Sequence, residues 1–310
     1  MKFSVSVIIP VYNCESYIEK AVMSVLQQPD VIEIVVVNDG STDATEQILE
    51  GLQETNPKIK VYHHENKSNK GRSASRNLGI KKTTGNYIAF IDADDFYLEN
   101  RFSNDKIIFE SDDSIEGVYN AIGVHFYRDA SISEKESLKL TSVNKSIKSN
   151  NLFEDLLYYK NGHFSIDGLT VKKNIFNKVG YFDESLEVAE DTNLILRMSL
   201  KCCLQAGIIN QPLAMRGVHH TNVFNNEELY KKNKLKCYES LLFWCVANGI
   251  SNHKIDTLLN YLWTLRYNQE ASLFKNISYW MSVFFKNPRL LLSKLCIKYF
   301  PLVRLRKKLF

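Results

Sequence analysis

No stretch of this chain reaches the ~18 uninterrupted apolar residues of a membrane-spanning helix, so it does not read as integral to a membrane. No CxxC pair occurs among Cys14, Cys202, Cys203, Cys237, Cys245 and Cys296. The six therefore read as reduced thiols, which points to the cytoplasm. The opening Met1-Lys2-Phe3-Ser4 runs directly into a strand-like segment, without the apolar stretch of a signal peptide. Neither an internal repeat nor a low-complexity tract is present. Acid is absent from the end of the chain. Beyond Glu270 come only basic charges: Lys275, Lys286, Arg289, Lys294, Lys298, Arg304, Arg306, Lys307 and Lys308. Charge this one-sided suits an anionic partner, either a membrane surface or a nucleic acid.

What is present is ordinary globular composition: 310 residues, 45% hydrophobic, 24% charged, net charge +4. That is enough for one large domain or two smaller ones. Residues 5–9 form a β-rich run ended by Pro10, read as a strand buried on both faces. Asn13 is placed to cap a helix over 15–28, and 32–37 is a second buried run. Ser41 or Thr42 can cap the next helix; 59–62 and 87–91 read as further strands. Strands separated by helices imply a mostly parallel sheet with right-handed crossovers, whose ligand sits at the carboxyl ends of the strands. Helix is read at 98–110, 151–160, 173–179 and 190–204, and strand at 117–127, 166–171 and 206–218. Residues 128–150 read as a polar loop, and the chain from about 224 as helix broken at Pro288 and Pro301.

Three segments at the strand ends carry chemistry. Asp92-Ala93-Asp94-Asp95 sets three carboxylates in four residues after an apolar strand. Their mutual repulsion is offset by solvation or by a hard cation such as Mg²⁺ or Mn²⁺. Asp39, after 35–38, can accept from a nucleobase or ribose, although a plain helix-capping turn also explains this stretch. The segment from Gly71 to Gly79 joins small residues to Arg72 and Arg76, either of which could face a diphosphate.

Together these segments resemble glycosyltransferase family 2, the inverting nucleotide-sugar transferases of GT-A fold. The resemblance rests on the stretches 5–13, 36–43, 71–79 and 91–95, in that order. It implies an α/β fold, a Rossmann-like mostly parallel sheet flanked by helices, with a helical C-terminal extension. It places Pro10, Tyr12, Asn13 and Asp39 around the base and ribose of a UDP-sugar donor, Asp92 near the ribose, and Asp94 on a divalent metal. The catalytic base it implies is Asp191, in Glu190-Asp191 at the start of a late helix; first-turn carboxylates favoured by the helix dipole are the plain reading of that pair. His219 or His220 would touch the metal or diphosphate, with Arg216 just before. The implied activity is sugar transfer to a saccharide or lipid-linked saccharide in bacterial cell-surface polysaccharide synthesis.

On this reading residues 1–222 form the catalytic domain, with 1–100 the donor half and 101–222 the acceptor half, and 223–310 form a helical region that could lie on an anionic membrane at the inner face of the cell. No nucleic-acid partner is expected, because an acidic pocket does not suit one. A nucleotidyltransferase is the rival enzyme, but the turn after the first strand lacks a Gly-rich phosphate loop. A catalytically silent nucleotide-sugar binder is the rival of another class.

Overall fold

The computed structural model describes residues 2–222, 226–269 and 272–306. Glu270, Lys307 and Lys308 of the C-terminal charge pattern lie outside the described residues. Contacts divide the chain into two units, Met1–Asn226 and Glu227–Phe310.

Among its described residues the first unit has ten strands: β1 Val5–Val11, β2 Val31–Asn38, β3 Ile59–His63, β4 Tyr87–Phe90, β5 Phe96–Tyr97, β6 Gly117–Tyr119, β7 Ile122–Phe126, β8 Leu169–Lys172, β9 Leu204–Ala206 and β10 Ala214–Val218. Its helices are α1 Ile18–Leu26, α2 Thr45–Thr55, α3 Arg72–Lys82, α4 Ser103–Ser111, α5 Ile132–Ser137, α6 Ser149–Leu157, α7 Phe176–Val179 and α8 Glu190–Lys201. A seven-stranded sheet runs β3-β2-β1-β4-β8-β6-β9, and a three-stranded sheet runs β5-β10-β7. β3, β2, β1 and β4 are mutually parallel, and β8 lies antiparallel between β4 and β6. This is the mostly parallel, helix-flanked sheet that the strand–helix alternation predicts. Every residue of β1 is buried, as a central parallel strand covered on both faces requires.

Several local expectations need correction. Asn13 caps no helix: α1 starts at Ile18 after Tyr17, and the Asn13 side chain instead accepts from the Thr42 N–H at 2.7 Å. Ser41 and Thr42 do not cap α2, which starts at Thr45. The 98–110 helix starts only at Ser103. Ahead of it, Gln28 donates to the Leu98 carbonyl and accepts from the Arg101 N–H, both at 3.0 Å, which holds residues 99–102 in a turn with Asn100 at φ 59°. The single strand read over 117–127 is two. At Asn120 the chain leaves the large sheet, because that buried amide donates to Asp105 Oδ1 at 2.9 Å and to the Gly168 carbonyl at 3.2 Å. The run 206–218 likewise divides between β9 and β10, one in each sheet.

One buried carboxylate ties β1, β2 and β3 together. Glu33 of β2 accepts from Ser6 Oγ of β1 at 2.6 Å, from Lys60 Nζ of β3 at 2.6 Å, and from both the N–H and the hydroxyl of Thr84. Burial opposes its charge, but Lys60, Ser6 and Thr84 win and hold it at about 2. Glu33→Ala strands these donors and is expected to cost about 2–3 kcal/mol. The folded pKa lies below the unfolded one, so the stabilisation is present above pH 4.5 and fades as pH falls toward 2. Urea midpoints should differ at pH 7 and converge across that window; a gap unchanged at pH 3 would contradict the assignment.

The second unit holds α9 Glu227–Ala247, α10 Asn252–Gln269, α11 Leu273–Phe285, α12 Pro288–Leu291, α13 Lys294–Lys298 and α14 Pro301–Arg306. Pro288 and Pro301 open α12 and α14, where the missing N–H costs nothing. Lys298 pairs with Asp256 at 2.5 Å, and the Trp280 ring N–H donates to the Cys296 carbonyl at 3.1 Å. Among the described residues no helix is long and apolar enough to cross a membrane.

Candidate active site

The carboxyl ends of β1, β2 and β4 hold Tyr12, Asn13, Asp39, Asp92 and Asp94. Beyond β1, the turn after Val11 is joined to the turn after β2. Asn13, in a left-handed backbone (φ 50°), donates its N–H to Ser41 Oγ at 3.0 Å, and the Cys14 N–H donates to Thr45 Oγ1 at 2.9 Å. This leaves Tyr12 exposed at the rim, while Pro10 is buried within β1.

Asp39 is buried at the end of β2. Its two oxygens accept from the backbone N–H groups of Lys70 and Gly71, at 2.7 and 2.9 Å. The carboxylate thus positions the start of α3 and keeps further lone pairs for a ligand. Gly40 lets the loop close: at φ +78° a Cβ there would lie 2.5 Å from the Lys67 carbonyl oxygen.

Arg72 and Arg76, equivalent in the sequence, part company in the structure. Arg76 is fully buried, with Nη1 2.6 Å from Glu190 Oε1 and Nη2 2.6 Å from Asp92 Oδ1. It is a clamp on two site carboxylates rather than an open anion ligand. Arg72 remains one-third exposed, 3.8 Å from Glu190 Oε1. Burial works against the Arg76 charge, but Asp92 and Glu190 outweigh it and raise its pKa further. Asp92 shows the reciprocal balance: burial would raise it, but Arg76 and then Arg72 hold it below the usual carboxylate range.

Asp94 and Asp95 also diverge. Asp94 Oδ2 lies 2.8 Å from His219 Nε2 and accepts from Asn222 Nδ2 at 3.0 Å. His219 follows β10, stacks on Tyr17 at 4.7 Å, and keeps its Nδ1 2.9 Å from Thr221 Oγ1. His220 is exposed, so of the two histidines His219 is the one on Asp94. Asp95 points inward and accepts from the Gly217 N–H at 2.8 Å. Burial and then Asp167 push its carboxyl well above the ordinary range. Asp167, absent from the sequence reading, accepts from Ser165 Oγ at 2.6 Å; burial and then Asp92 raise it to about 6. Arg216 donates to the same Ser165 hydroxyl at 3.3 Å.

Among the described residues two groups could hold a cation. Asp94 Oδ2 and His219 Nε2 are hydrogen-bonded to each other at 2.8 Å; a cation would replace that bond, and an oxygen–imidazole pair suits Mn²⁺ and tolerates Mg²⁺. Asp92, Asp95 and Asp167 bring one oxygen each within 4.8 Å of one another. Asp92 already pairs with Arg76, however, and burial drives Asp95 toward protonation. The Asp94–His219 pair is the better fit.

Glu190 and Asp191 open α8. Ala189 before them holds φ 62°, a conformation costing a residue with a Cβ about 1 kcal/mol, which aims the helix start. Asp191 Oδ1 accepts from its neighbour Thr192 N–H at 2.6 Å. Asn77 of α3 bonds both the N–H and the carbonyl of Phe182, at 2.9 and 3.0 Å, fixing the segment ahead of α8. Tyr17 and Asp167 are site residues that carry no signal in the sequence: each arrives from a distant part of the chain and belongs to no local motif, whereas Asn222 stands in the run His219-His220-Thr221-Asn222 and bonds His219 within it.

A sequence model of the family described as Glycosyl transferase family 2 matches residues 6–169. EpsJ of Bacillus subtilis, described as an uncharacterized glycosyltransferase, is 29% identical over 61% of this chain and 54% of its own length. The minor teichoic acid biosynthesis protein GgaA of the same organism is 30% identical over 63% of this chain and 43% of its own. The chain thus spans about half the length of these curated relatives. Among solved structures, S. aureus TarS 1-349 in complex with UDP-GlcNAc superposes with a TM-score of 0.67 over 99% of this chain and 92% of that one, at 18% identity. That likeness shows the GT-A type of fold.

Proposed function

Because the chain belongs to glycosyl transferase family 2, we propose that it transfers a sugar from a UDP-sugar to an acceptor hydroxyl, with inversion, during synthesis of a cell-surface polysaccharide. One observation carries this: Arg76 ties Asp92, beyond β4, to Glu190, which opens α8 beside Asp191, and Asp94, two residues after Asp92, pairs with His219. The UDP-GlcNAc named for TarS supports a uridine donor, and the teichoic acid named for GgaA supports a polymer acceptor.

In this mechanism Tyr12 and Asp39 border the base and Arg72 faces the diphosphate. Asp191 takes the acceptor proton as the hydroxyl oxygen bonds the anomeric carbon. The bond from that carbon to the diphosphate breaks and UDP leaves with its electron pair. A divalent cation held by Asp94 and His219 would supply charge that neutralises the departing diphosphate. Asp94→Ala and His219→Ala are each expected to weaken UDP binding at least tenfold in Mn²⁺ and to have little effect in EDTA. Calorimetric titration of UDP under both conditions measures this; equal losses in EDTA would remove the cation from the reading.

A basic C-terminal surface adds a second partner, an anionic membrane. On α11, Phe274, Ser278, Met281 and Phe285 recur at i, i+4, i+7 and i+11, and the three apolar members are 80%, 44% and 59% exposed. Lys275 and Lys286 are exposed on the same helix and its cap. Such a stripe suits an acyl boundary beside acidic headgroups. Flotation with phosphatidylglycerol vesicles should fall at least fivefold in a Phe274→Ser/Phe285→Ser variant; equal flotation would rule this surface out.

A further inference from the structure

The loop between α6 and the short 3₁₀ turn at Ile166–Gly168 is held with unusual firmness for a surface loop. Asp155 of α6 accepts from the Asn161 N–H at 3.1 Å and from Asn161 Nδ2 at 2.6 Å, and its own carbonyl accepts from the Lys160 N–H at 3.0 Å. The Asn161 carbonyl accepts from the Asn144 N–H at 2.8 Å. Gly162 sits at φ +87°, where a Cβ would lie 2.4 Å from the Ser142 carbonyl oxygen, so no other residue fits. Tyr159 is held at φ 52°, a strained backbone for an aromatic residue, yet its side chain is 49% exposed. The left-handed Tyr159 backbone closes α6: the Lys160 N–H reaches back to the Asp155 carbonyl at 3.0 Å and the Tyr159 N–H to the Leu156 carbonyl at 3.2 Å, so the helix stop fixes where the exposed ring stands.

The ring has a neighbour that leads into the site. Tyr159 meets His163 edge to face at 5.6 Å. His163 precedes Phe164 and Ser165, and Ser165 is the hydroxyl shared by Asp167 and Arg216. The site's charges reach the His163 ring: desolvation and then Arg216 lower its pKa, while Asp191 raises it. The loop therefore sets an exposed phenol against an imidazole that stands two residues ahead of the Ser165 hydroxyl that Asp167 and Arg216 share.

We propose that Tyr159 and His163 form a subsite that binds a pyranose ring of the acceptor. The apolar C–H face of the sugar lies on the phenol ring, and the imidazole bonds a hydroxyl. An aromatic side chain supplies contact area at little entropic cost, and the pinned backbone removes the cost of ordering it. This rests on the transferase reading above.

The probes are methyl glycosides of glucose, galactose and N-acetylglucosamine, followed by saturation-transfer NMR on the full chain with UDP and Mn²⁺ present. Tyr159→Gly keeps the left-handed backbone and removes the ring; it should weaken glycoside binding at least tenfold. Tyr159→Phe should stay within about threefold of the unaltered protein. UDP affinity, measured by calorimetry on the same samples, should not move. Equal glycoside binding in the unaltered protein and Tyr159→Gly, or no glycoside binding where UDP binds, would overturn the subsite. Loss of glycoside binding in Tyr159→Gly without any UDP binding would keep the subsite and overturn the transferase reading instead.

Discussion

Asp191→Asn is expected to bind UDP as tightly as the unaltered chain while transferring sugar about 10²–10⁴-fold more slowly, the range general-base assistance supplies. The substitution keeps the size of the side chain and its Oδ1, which accepts the Thr192 N–H at 2.6 Å, so α8 should begin where it does now. What is lost is a carboxylate able to take a proton. The donor groups Asp39, Asp94 and His219 stand on other elements, so KM for the donor should change little and kcat should carry the loss. Single-turnover transfer and UDP titration on one preparation separate the two quantities. Transfer at the original rate would remove Asp191 from the mechanism. Reduced UDP affinity would mean that it holds the donor.

Arg76→Met should lower the stability of the first unit by about 3–5 kcal/mol, the range for breaking a buried ion pair from one side. For a unit of this size that lowers Tm by on the order of 10 °C. The volume is nearly kept, but Glu190 and Asp92 lose partners at 2.6 Å. The dependence on pH identifies the cause. Asp92 has its folded pKa depressed below 3.8, so its pairing stabilises fully above about pH 4, and the gain is lost as pH falls further. Glu190 runs the other way: burial raises it, Arg76 opposes the rise, and without Arg76 its ionisation costs more as pH increases. The deficit of Arg76→Met should therefore be largest near neutral pH and shrink in acid. A deficit flat with pH would mean that packing against Phe182, 5.3 Å from the guanidinium, is what was lost. Because Glu190 adjoins Asp191, the variant should also transfer poorly even where it is folded.

The sequence by itself determined the class of fold and the edge on which the chemistry sits. β1 and β2 are apolar runs broken only by Ser6, Glu33 and the terminal Asn38, as a doubly covered parallel sheet requires; Asp39 follows β2 directly, and Asp92 follows β4 after Ile91. A strand end is a local property, so those residues were legible. The roles within Asp92-Ala93-Asp94-Asp95 were not, because they depend on which distant groups meet each carboxylate: Arg76 meets Asp92, His219 and Asn222 meet Asp94, and the Gly217 N–H meets Asp95. The same physics separated Arg76 from Arg72. One turn of helix carries one arginine into the buried interface with Glu190 and leaves the other part-exposed. Helix starts failed for a related reason. Asn13, Ser41 and Thr42 have the chemistry of caps, but they lie where two loops meet, and their hydrogen bonds cross between the loops instead of closing their own helices. Apolar periodicity and turn chemistry act over a few residues and can be read along the chain. Which charge finds which partner is decided only when folding brings separate segments together, from 16 residues apart for Arg76 and Asp92 to 128 for Asp94 and Asn222.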